Sequence, residues 1–155
     1  MTTLKRRKEM QCILAIDPGA KGGFAWRDKD GIIQALSMPE GMADQADSLR
    51  NIVAENSGIT AIIERTGTYI PGNSGVAAAT FARHCGHLEA ILYCFGIPAE
   101  QVAPQVWQKS LGALPKDKKQ RKSAVKELMA RKYPHLSVNL TTADALGILT
   151  WIEAK

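Results

Sequence analysis

Apolar residues fall in short runs suited to β-strands in the first part of the chain and in longer helical patterns afterwards. Residues 11–17, 24–28 and 32–38 are three such runs joined by glycine-bearing turns, which predicts an antiparallel three-stranded meander. Residues 60–64 predict a short buried strand, and residues 101–104 predict a further strand that ends at a proline. These five runs therefore predict the strands of a single sheet.

Helical periodicity separates and follows these strands. Leu49, Ile52 and Val53 recur at helical spacing before Gly58, and residues 76–95 form a long, largely apolar helix. Shorter patterns predict a turn or two of helix at 104–112 and an exposed linker at 114–120. A basic helix follows at 121–134, with Ala124, Leu128 and Met129 facing inward. The last predicted helix, at 141–154, is capped by Thr141 or Thr142. A strand–helix–strand crossover after a meander predicts a mixed sheet in one α/β domain, residues 11–155, preceded by a flexible basic arm, residues 1–10.

Two acidic residues close predicted strands. Asp17 ends the first strand and Glu64 ends the fourth, each directly before a glycine-bearing loop. If these strands are neighbours, the carboxylates meet at one edge of the sheet, where α/β folds bind ligands. Asp144 lies on the first turn of an apolar helix, and three such oxygen donors suit Mg²⁺ or Mn²⁺. Taken one at a time, Asp17 is also typical of a turn, Glu64 of a solvated strand end, and Asp144 of an acid that stabilises a helix dipole.

Positive charge is concentrated rather than spread. Residues 5–8 and nine basic residues between 109 and 132 hold 13 of the 20 lysines and arginines in a chain of net charge +5. Such a field suits a phosphate backbone, and the alternative is a solvated helix face.

Composition excludes several other classes. Hydrophobic residues are 45% and charged residues 23%, as in ordinary globular domains, and no apolar run approaches the roughly 20 residues that cross a bilayer. Cys12, Cys85 and Cys94 form no CxxC pair, so reduced thiols are expected. We predict a cytoplasmic protein with neither a membrane partner nor a nucleotide cofactor.

The chain resembles RuvC-like Holliday junction resolvases, most of all the short phage and prophage type. The resemblance covers roughly residues 11–154 and is carried, in order, by LAIDPGAKGGFAW, AIIERTGTY, GVAAATFARHCGHLEAIL, VAPQVWQKSLG, KDKKQRKSAVKELMARKYP and TTADALGILTW. It implies an RNase H-like fold, with a mixed five-stranded sheet and helices on both faces. It also implies a homodimer and two-metal hydrolysis of symmetrically placed phosphodiesters at a four-way DNA junction, leaving 5′-phosphates.

The resemblance also assigns roles at the acidic site. Asp17, Glu64 and Asp144 would hold two Mg²⁺ or Mn²⁺ ions, and Lys122 or a neighbour on its helix would stabilise the pentacovalent phosphate. The family usually places a fourth metal-binding residue three or four positions before the last aspartate. This chain has Leu140 and Thr141 there. Thr141 would then bind weakly through a metal-bound water, or another group such as His135 would reach in, or the protein would cut weakly.

Contacts with DNA are expected from the basic residues and from the loop after Glu64. The candidates are Arg65, Tyr69, Lys109, Lys116, Lys118, Lys119, Arg121, Lys122 and Lys126. Tyr69 would stack on unpaired bases or else pack within its own loop, and Arg65 would touch a phosphate or else pair with an acid. Trp26, Trp107 and Trp151 are predicted to be core or near-core residues rather than base platforms.

The helix at 76–95 is the candidate dimer interface. Its apolar positions cover more than one face, and Ala78, Ala82 and Gly86 would allow a second copy to approach closely. The alternative is a helix buried centrally within one subunit.

Other functions fit parts of the sequence. A non-cutting relative that binds branched DNA would keep the basic residues and lose the fourth ligand. An RNase H fits less well, because there is no dense acidic cluster. The DPGAKGG turn is similar to the phosphate hairpin of actin-like ATPases, but those proteins need two such domains.

Overall fold

The computed structural model describes residues 11–67, 72 and 74–155. Its centre is a mixed five-stranded sheet with the order β3-β2-β1-β4-β5. The pair β1–β2 and the pair β2–β3 are antiparallel, whereas β4 lies parallel to β1 and β5 lies parallel to β4. The strands are β1 (Ile13–Asp17), β2 (Gly23–Arg27), β3 (Ile33–Ser37), β4 (Thr60–Glu64) and β5 (Ala99–Val102). The predicted meander and crossover are confirmed.

Helices occupy both faces of this sheet, as predicted. They are α1 (Met42–Glu55), α2 (Gly75–Cys94), α3 (Pro104–Ser110), α4 (Lys118–Lys132) and α5 (Ala143–Glu153). Because side chains alternate along a strand, β1 contributes to two separate cores. Leu14 and Ile16 pack with α1 and α2, whereas Ala15 packs with α3, α4 and α5.

The helix α5 is the most deeply buried of the five helices. Every residue from 142 to 149 is buried, and this helix contacts β1, β2, β4, α3 and α4. Alanines and a glycine in ADALGIL keep its surface flat enough to lie directly on the sheet. The one charged residue of this segment, Asp144, is therefore carried to the sheet by an apolar helix.

Several predicted details change in the structure. The helix α4 begins at Lys118, within the predicted linker, because the Asp117 carboxylate accepts from the backbone N–H of Gln120 and caps it. Val125 and Met129 are its buried residues, whereas the predicted Ala124 and Leu128 are only partly buried.

The start of α5 also differs from the prediction. Neither Thr141 nor Thr142 caps the helix with its side chain. Instead the Asn139 side-chain oxygen accepts from the backbone N–H groups of both threonines, because this residue lies at the turn before the helix.

Two further observations bear on the sequence predictions. Cys12, Cys85 and Cys94 are free thiols. Among the described residues, no helix combines the length and the apolar character needed to span a bilayer.

Candidate active site

The three predicted acids come from three elements that meet at one end of the sheet. Parallel pairing places Ile16 of β1 beside Ile63 of β4, so the next residues, Asp17 and Glu64, close neighbouring strands at the same edge. The first turn of α5 brings Asp144 to this edge, since α5 lies across β1, β2 and β4.

The turn after Asp17 depends on glycine. A Cβ atom on Gly22 would lie 2.0 Å from the Asp17 carbonyl oxygen, and a Cβ atom on Gly23 would lie 2.6 Å from the carbonyl oxygen of Thr141. These glycines therefore let the hairpin fold tightly behind Asp17 and let the start of α5 approach it. Two glycines of the DPGAKGG motif are therefore required for packing.

Asp17 is the most buried of the three acids, at 7% exposure. Burial raises the pKa of Asp17 well above its ordinary value, and the negative charges of Glu64 and Asp144 raise it further. Lys122 acts in the opposite direction but does not compensate. Three carboxylates that disfavour one another's charge form a site whose charged state needs additional positive charge.

Glu64 is half-buried and is held by a tryptophan. The indole N–H of Trp107 donates to Glu64 Oε2 at 2.6 Å. Burial raises the pKa of Glu64, the hydrogen bond from Trp107 lowers it, and the nearby charge of Asp144 raises it, so the net shift is upward.

Asp144 forms an ion pair with Lys122. The ammonium Nζ lies 2.7 Å from Asp144 Oδ2, and the two side chains are 39% and 12% exposed. Burial lowers the pKa of Lys122, but the bond to Asp144 and the charges of Asp17 and Glu64 outweigh burial and raise it. Lys122 therefore remains charged beside all three carboxylates.

A cavity of about 270 Å³ opens between these residues. Its walls include Asp17, Glu64 and Asp144 together with three cationic residues of α4, namely Lys118, Arg121 and Lys122. Spacing of three and four residues places these cations on one face of the helix. The cavity thus joins a carboxylate cluster to a strip of positive charge.

The donor set of this cavity fits a divalent metal in its chemistry but not in its present geometry. The chemistry fits, because three carboxylates meet in one cavity and the charge of Lys122 does not offset the upward shift in the pKa of Asp17. In the conformation described, however, no three His, Cys, Asp or Glu side chains of the described residues are grouped to hold an ion. Trp107 bonds one oxygen of Glu64 and Lys122 bonds one oxygen of Asp144, so a metal would use the second oxygen of each carboxylate or compete with these contacts.

Thr141 is near this edge but is engaged elsewhere. Its hydroxyl donates to Asn139 Oδ1 at 2.6 Å and shares a hydrogen bond with the hydroxyl of Ser37, the last residue of β3. It is not part of the cavity wall formed by the three acids. His135 bonds the Ile33 carbonyl oxygen, at the opposite end of β3 from Ser37, and so lies away from the site.

The remaining DNA-contact candidates are distributed around the cavity mouth and beyond it. Arg65 directly follows β4 and is exposed. Exposed side chains on α3, on the following turn and on the outer faces of α4 are Lys109, Lys116, Lys119 and Lys126. Arg121 also donates to the Lys116 carbonyl oxygen, which fixes the turn before α4. Tyr69 lies outside the described residues.

The predicted dimer helix is not buried centrally within the subunit. Only Leu88 and Leu92 of α2 are buried, and Val76 and Tyr93 are 78% and 86% exposed. A second cavity of about 310 Å³ lies between α2 and the end of β4; its lining includes Ala78, Ala82, Gly86, Glu64 and Arg65.

Sequence reasoning missed the contacts that hold the acids. Trp107 was predicted as a core residue, which its burial confirms, but its bond to Glu64 was not predicted. The available signal was that a buried indole N–H needs an acceptor. Ser37 and Asn139 carried no comparable signal.

Comparison with solved structures identifies the fold. The chain superposes on the Thermus thermophilus RuvC in complex with a Holliday junction substrate with a TM-score of 0.56 and 16% identity, covering 92% of both chains. A second Thermus thermophilus RuvC structure gives a TM-score of 0.52 and 17% identity over 91% of this chain and 92% of that one. Fowlpox virus resolvase with Holliday junction DNA gives 0.45 and 14% identity over 92% and 99%. No protein-family model and no curated protein sequence matches the chain. The protein has the RNase H-like fold of RuvC.

Proposed function

We propose that this protein is a metal-dependent endonuclease that cuts Holliday junctions and other branched DNA. The observation that carries the proposal is the convergence of Asp17, Glu64 and Asp144 in one cavity with the cationic face of α4. Carboxylates at a strand edge suit metal ions, and the adjacent cations suit the phosphate backbone that those ions would act on. The shared fold with a RuvC bound to a Holliday junction supports a branched substrate.

Two Mg²⁺ or Mn²⁺ ions per site would be held by Asp17, Glu64 and Asp144. When bound, they would supply Lewis-acid activation of water and stabilise the leaving oxygen of a phosphodiester, giving a 5′-phosphate. Burial and the neighbouring acids disfavour the negative charge of Asp17 in the described conformation, and bound metal ions would balance that charge.

The protein's own side chains account for the remaining steps. Lys122 holds Asp144 in the described conformation, and release of that pair would direct the ammonium to the substrate phosphate. Lys118, one turn before Lys122 on α4, and the adjacent Arg121 would bind neighbouring phosphates. The exposed Lys109, Lys116, Lys119 and Lys126 would extend this contact and make binding depend on salt.

A homodimer through α2 would supply two cuts on one junction. Exposed small residues follow one face of the helix, at Ala79, Ala82, Gly86 and Ala90, and end at the exposed Tyr93. A twofold antiparallel pair centred on Gly86 would set Tyr93 opposite Ala79, so the one large side chain meets a small one. A Cβ atom on Gly86 would meet nothing within 4 Å in its own chain, which leaves room for the partner.

One observation favours a second candidate, a branched-DNA-binding relative that does not cut. The carboxylate of Asp144 is already paired with Lys122. Thr141 presents a hydroxyl engaged with Ser37 and Asn139 where the resemblance leads one to expect a fourth metal-binding residue. Such a protein would bind junctions equally well with and without a divalent metal.

The test is a cleavage and binding assay on four-way junction, RNA–DNA hybrid and linear duplex, with Mg²⁺ and with EDTA. We expect Mg²⁺-dependent, paired cuts in the junction alone. Glu64→Gln should abolish cutting and preserve junction binding, whereas Glu100→Gln, on the neighbouring strand β5 and exposed, should behave like the wild type. Junction binding without any cutting would favour the second candidate, and equal cutting of junction and duplex would refute structure selectivity.

A further inference from the structure

Trp107 is fully buried on α3, yet it carries a polar N–H group. This N–H donates to Glu64 Oε2 at 2.6 Å, across 43 residues of sequence. A hydrogen bond to a carboxylate is stronger than one between neutral groups, and a buried indole loses more if its acceptor is removed. The contact therefore joins the core on the α3–α5 face of the sheet to the carboxylate cluster.

The indole ring is held on several sides. A Cβ atom on Gly147 of α5 would lie 2.6 Å from Trp107 Cζ3 and 3.1 Å from Cε3, so only glycine leaves space for the ring. At the backbone, the Ser110 hydroxyl donates to the Trp107 carbonyl oxygen, and Pro104 begins α3 with only Ala103 between it and β5. The direction of the N–H is thus determined by α3 and α5 together.

The packing of Trp107 against Gly147 links the positions of two of the three acids, Asp144 and Glu64. Gly147 lies three residues after Asp144 on α5, which places the two on one face of that helix. A shift of α5 that displaced the indole would also displace Asp144. Glu64, by contrast, has a flexible side chain at a strand end, and the bond to Trp107 occupies Oε2 while leaving Oε1 for a ligand.

We propose that Trp107 is a positioning residue, whose indole N–H holds the Glu64 carboxylate in the orientation that binds the divalent metal. The proposal rests on the metal site of the proposed function and adds a residue to it. Groups that hydrogen-bond metal ligands typically change metal affinity by about 10–100-fold when removed. If Trp107 only fills space, removal of the N–H alone will leave metal affinity unchanged.

The decisive variant replaces Trp107 with 3-benzothienylalanine, which keeps the fused rings and has sulphur in place of the N–H. The same replacement at Trp151, on α5 and outside the cavity wall, is the matched control. Trp107→Phe is a second, genetically simple variant, and Leu149→Ala in the same core controls for lost stability without touching the N–H. Binding of Mn²⁺ is measured by calorimetry at a temperature where all variants are folded.

We expect a loss of Mn²⁺ affinity of about tenfold or more for both Trp107 variants and no loss for the Trp151 or Leu149 variants. Unchanged affinity in the benzothienyl variant at 107 would overturn the proposal, whatever Trp107→Phe does. Equal losses in the 107 and 151 variants would overturn it as well, because the effect would then not be specific to this N–H.

A spectroscopic measurement is independent of cleavage. In ¹H–¹⁵N spectra the Trp107 indole signal should lie downfield of those of Trp26 and Trp151, move upfield in Glu64→Gln, and shift when Mg²⁺ is added. If neither Glu64→Gln nor Mg²⁺ changes the Trp107 indole signal, the proposal that Trp107 positions Glu64 is refuted. If it responds to both and the protein cuts no DNA, positioning stands and the nuclease proposal fails, so the two failures are distinguishable.

Discussion

Replacement of Lys122 by methionine tests the balance of charge in the cavity. The substitution keeps most of the aliphatic side chain and removes the ammonium that lies 2.7 Å from Asp144 Oδ2. Exposed ion pairs contribute about 0.2–1 kcal/mol, whereas breaking a buried pair costs about 3–5 kcal/mol. Because Lys122 is 39% exposed, water screens part of the interaction, and we expect a loss of roughly 1–2 kcal/mol in EDTA. For a domain of this size, that is a fall in Tm of roughly 3–6 °C.

Mg²⁺ should have the opposite effect on this variant. In the wild type, a metal competes with Lys122 for Asp144, so its removal should tighten Mg²⁺ binding by up to about tenfold, or 1.4 kcal/mol. Binding to the folded state alone adds stability as metal concentration rises, so saturating Mg²⁺ should restore most of the Tm lost in EDTA. Cleavage should nevertheless fall, since the cation nearest the substrate phosphate is missing.

The assay is thermal unfolding in EDTA and in saturating Mg²⁺, with Lys126→Met as the matched control. Lys126 lies one turn further along α4 and is exposed. Its replacement should change neither Tm nor the Mg²⁺ increment. If Lys122→Met gains no more stability from Mg²⁺ than the wild type does, Lys122 and the metal do not compete for Asp144, and the charge balance described here is wrong.

Three further predictions follow from individual contacts. Thr141→Asp should lower the free energy of unfolding by about 1–2 kcal/mol and leave Mg²⁺ affinity unchanged, because it breaks the hydroxyl contact with Ser37; tighter Mg²⁺ binding in calorimetry would show that an acid there reaches the metal. Ala82→Glu on the exposed face of α2 should yield monomers that nick junctions, and dimers in sedimentation would exclude this face as the interface. Cys94 should react rapidly with a thiol reagent at neutral pH, whereas burial raises the pKa of Cys12 to about 11 and should keep it unreactive until unfolding; rapid reaction of two folded-state thiols that include Cys12 would contradict its burial.

Local patterns predicted the fold well because its elements are short and clearly bounded. Alternating and continuous apolar runs identified β1 to β4, and the predicted order of elements led to the mixed sheet. Errors occurred where a cap decides the boundary. The start of α4 depends on Asp117, and the turn before α5 depends on Asn139, and both residues are also common in loops.

The sequence by itself identified the three acids, because Asp17 and Glu64 end strands and Asp144 interrupts an apolar helix. Only the tertiary structure decided which of the nine basic residues between 109 and 132 pairs with Asp144 and which residue holds Glu64. Lys122 and Trp107 lie 22 and 43 residues from their partners. Such contacts depend on how α3, α4 and α5 are rotated and docked on the sheet. Hydrophobic periodicity shows which helix face is buried, but a polar side chain at the border of that face can meet any acceptor that the packing brings near.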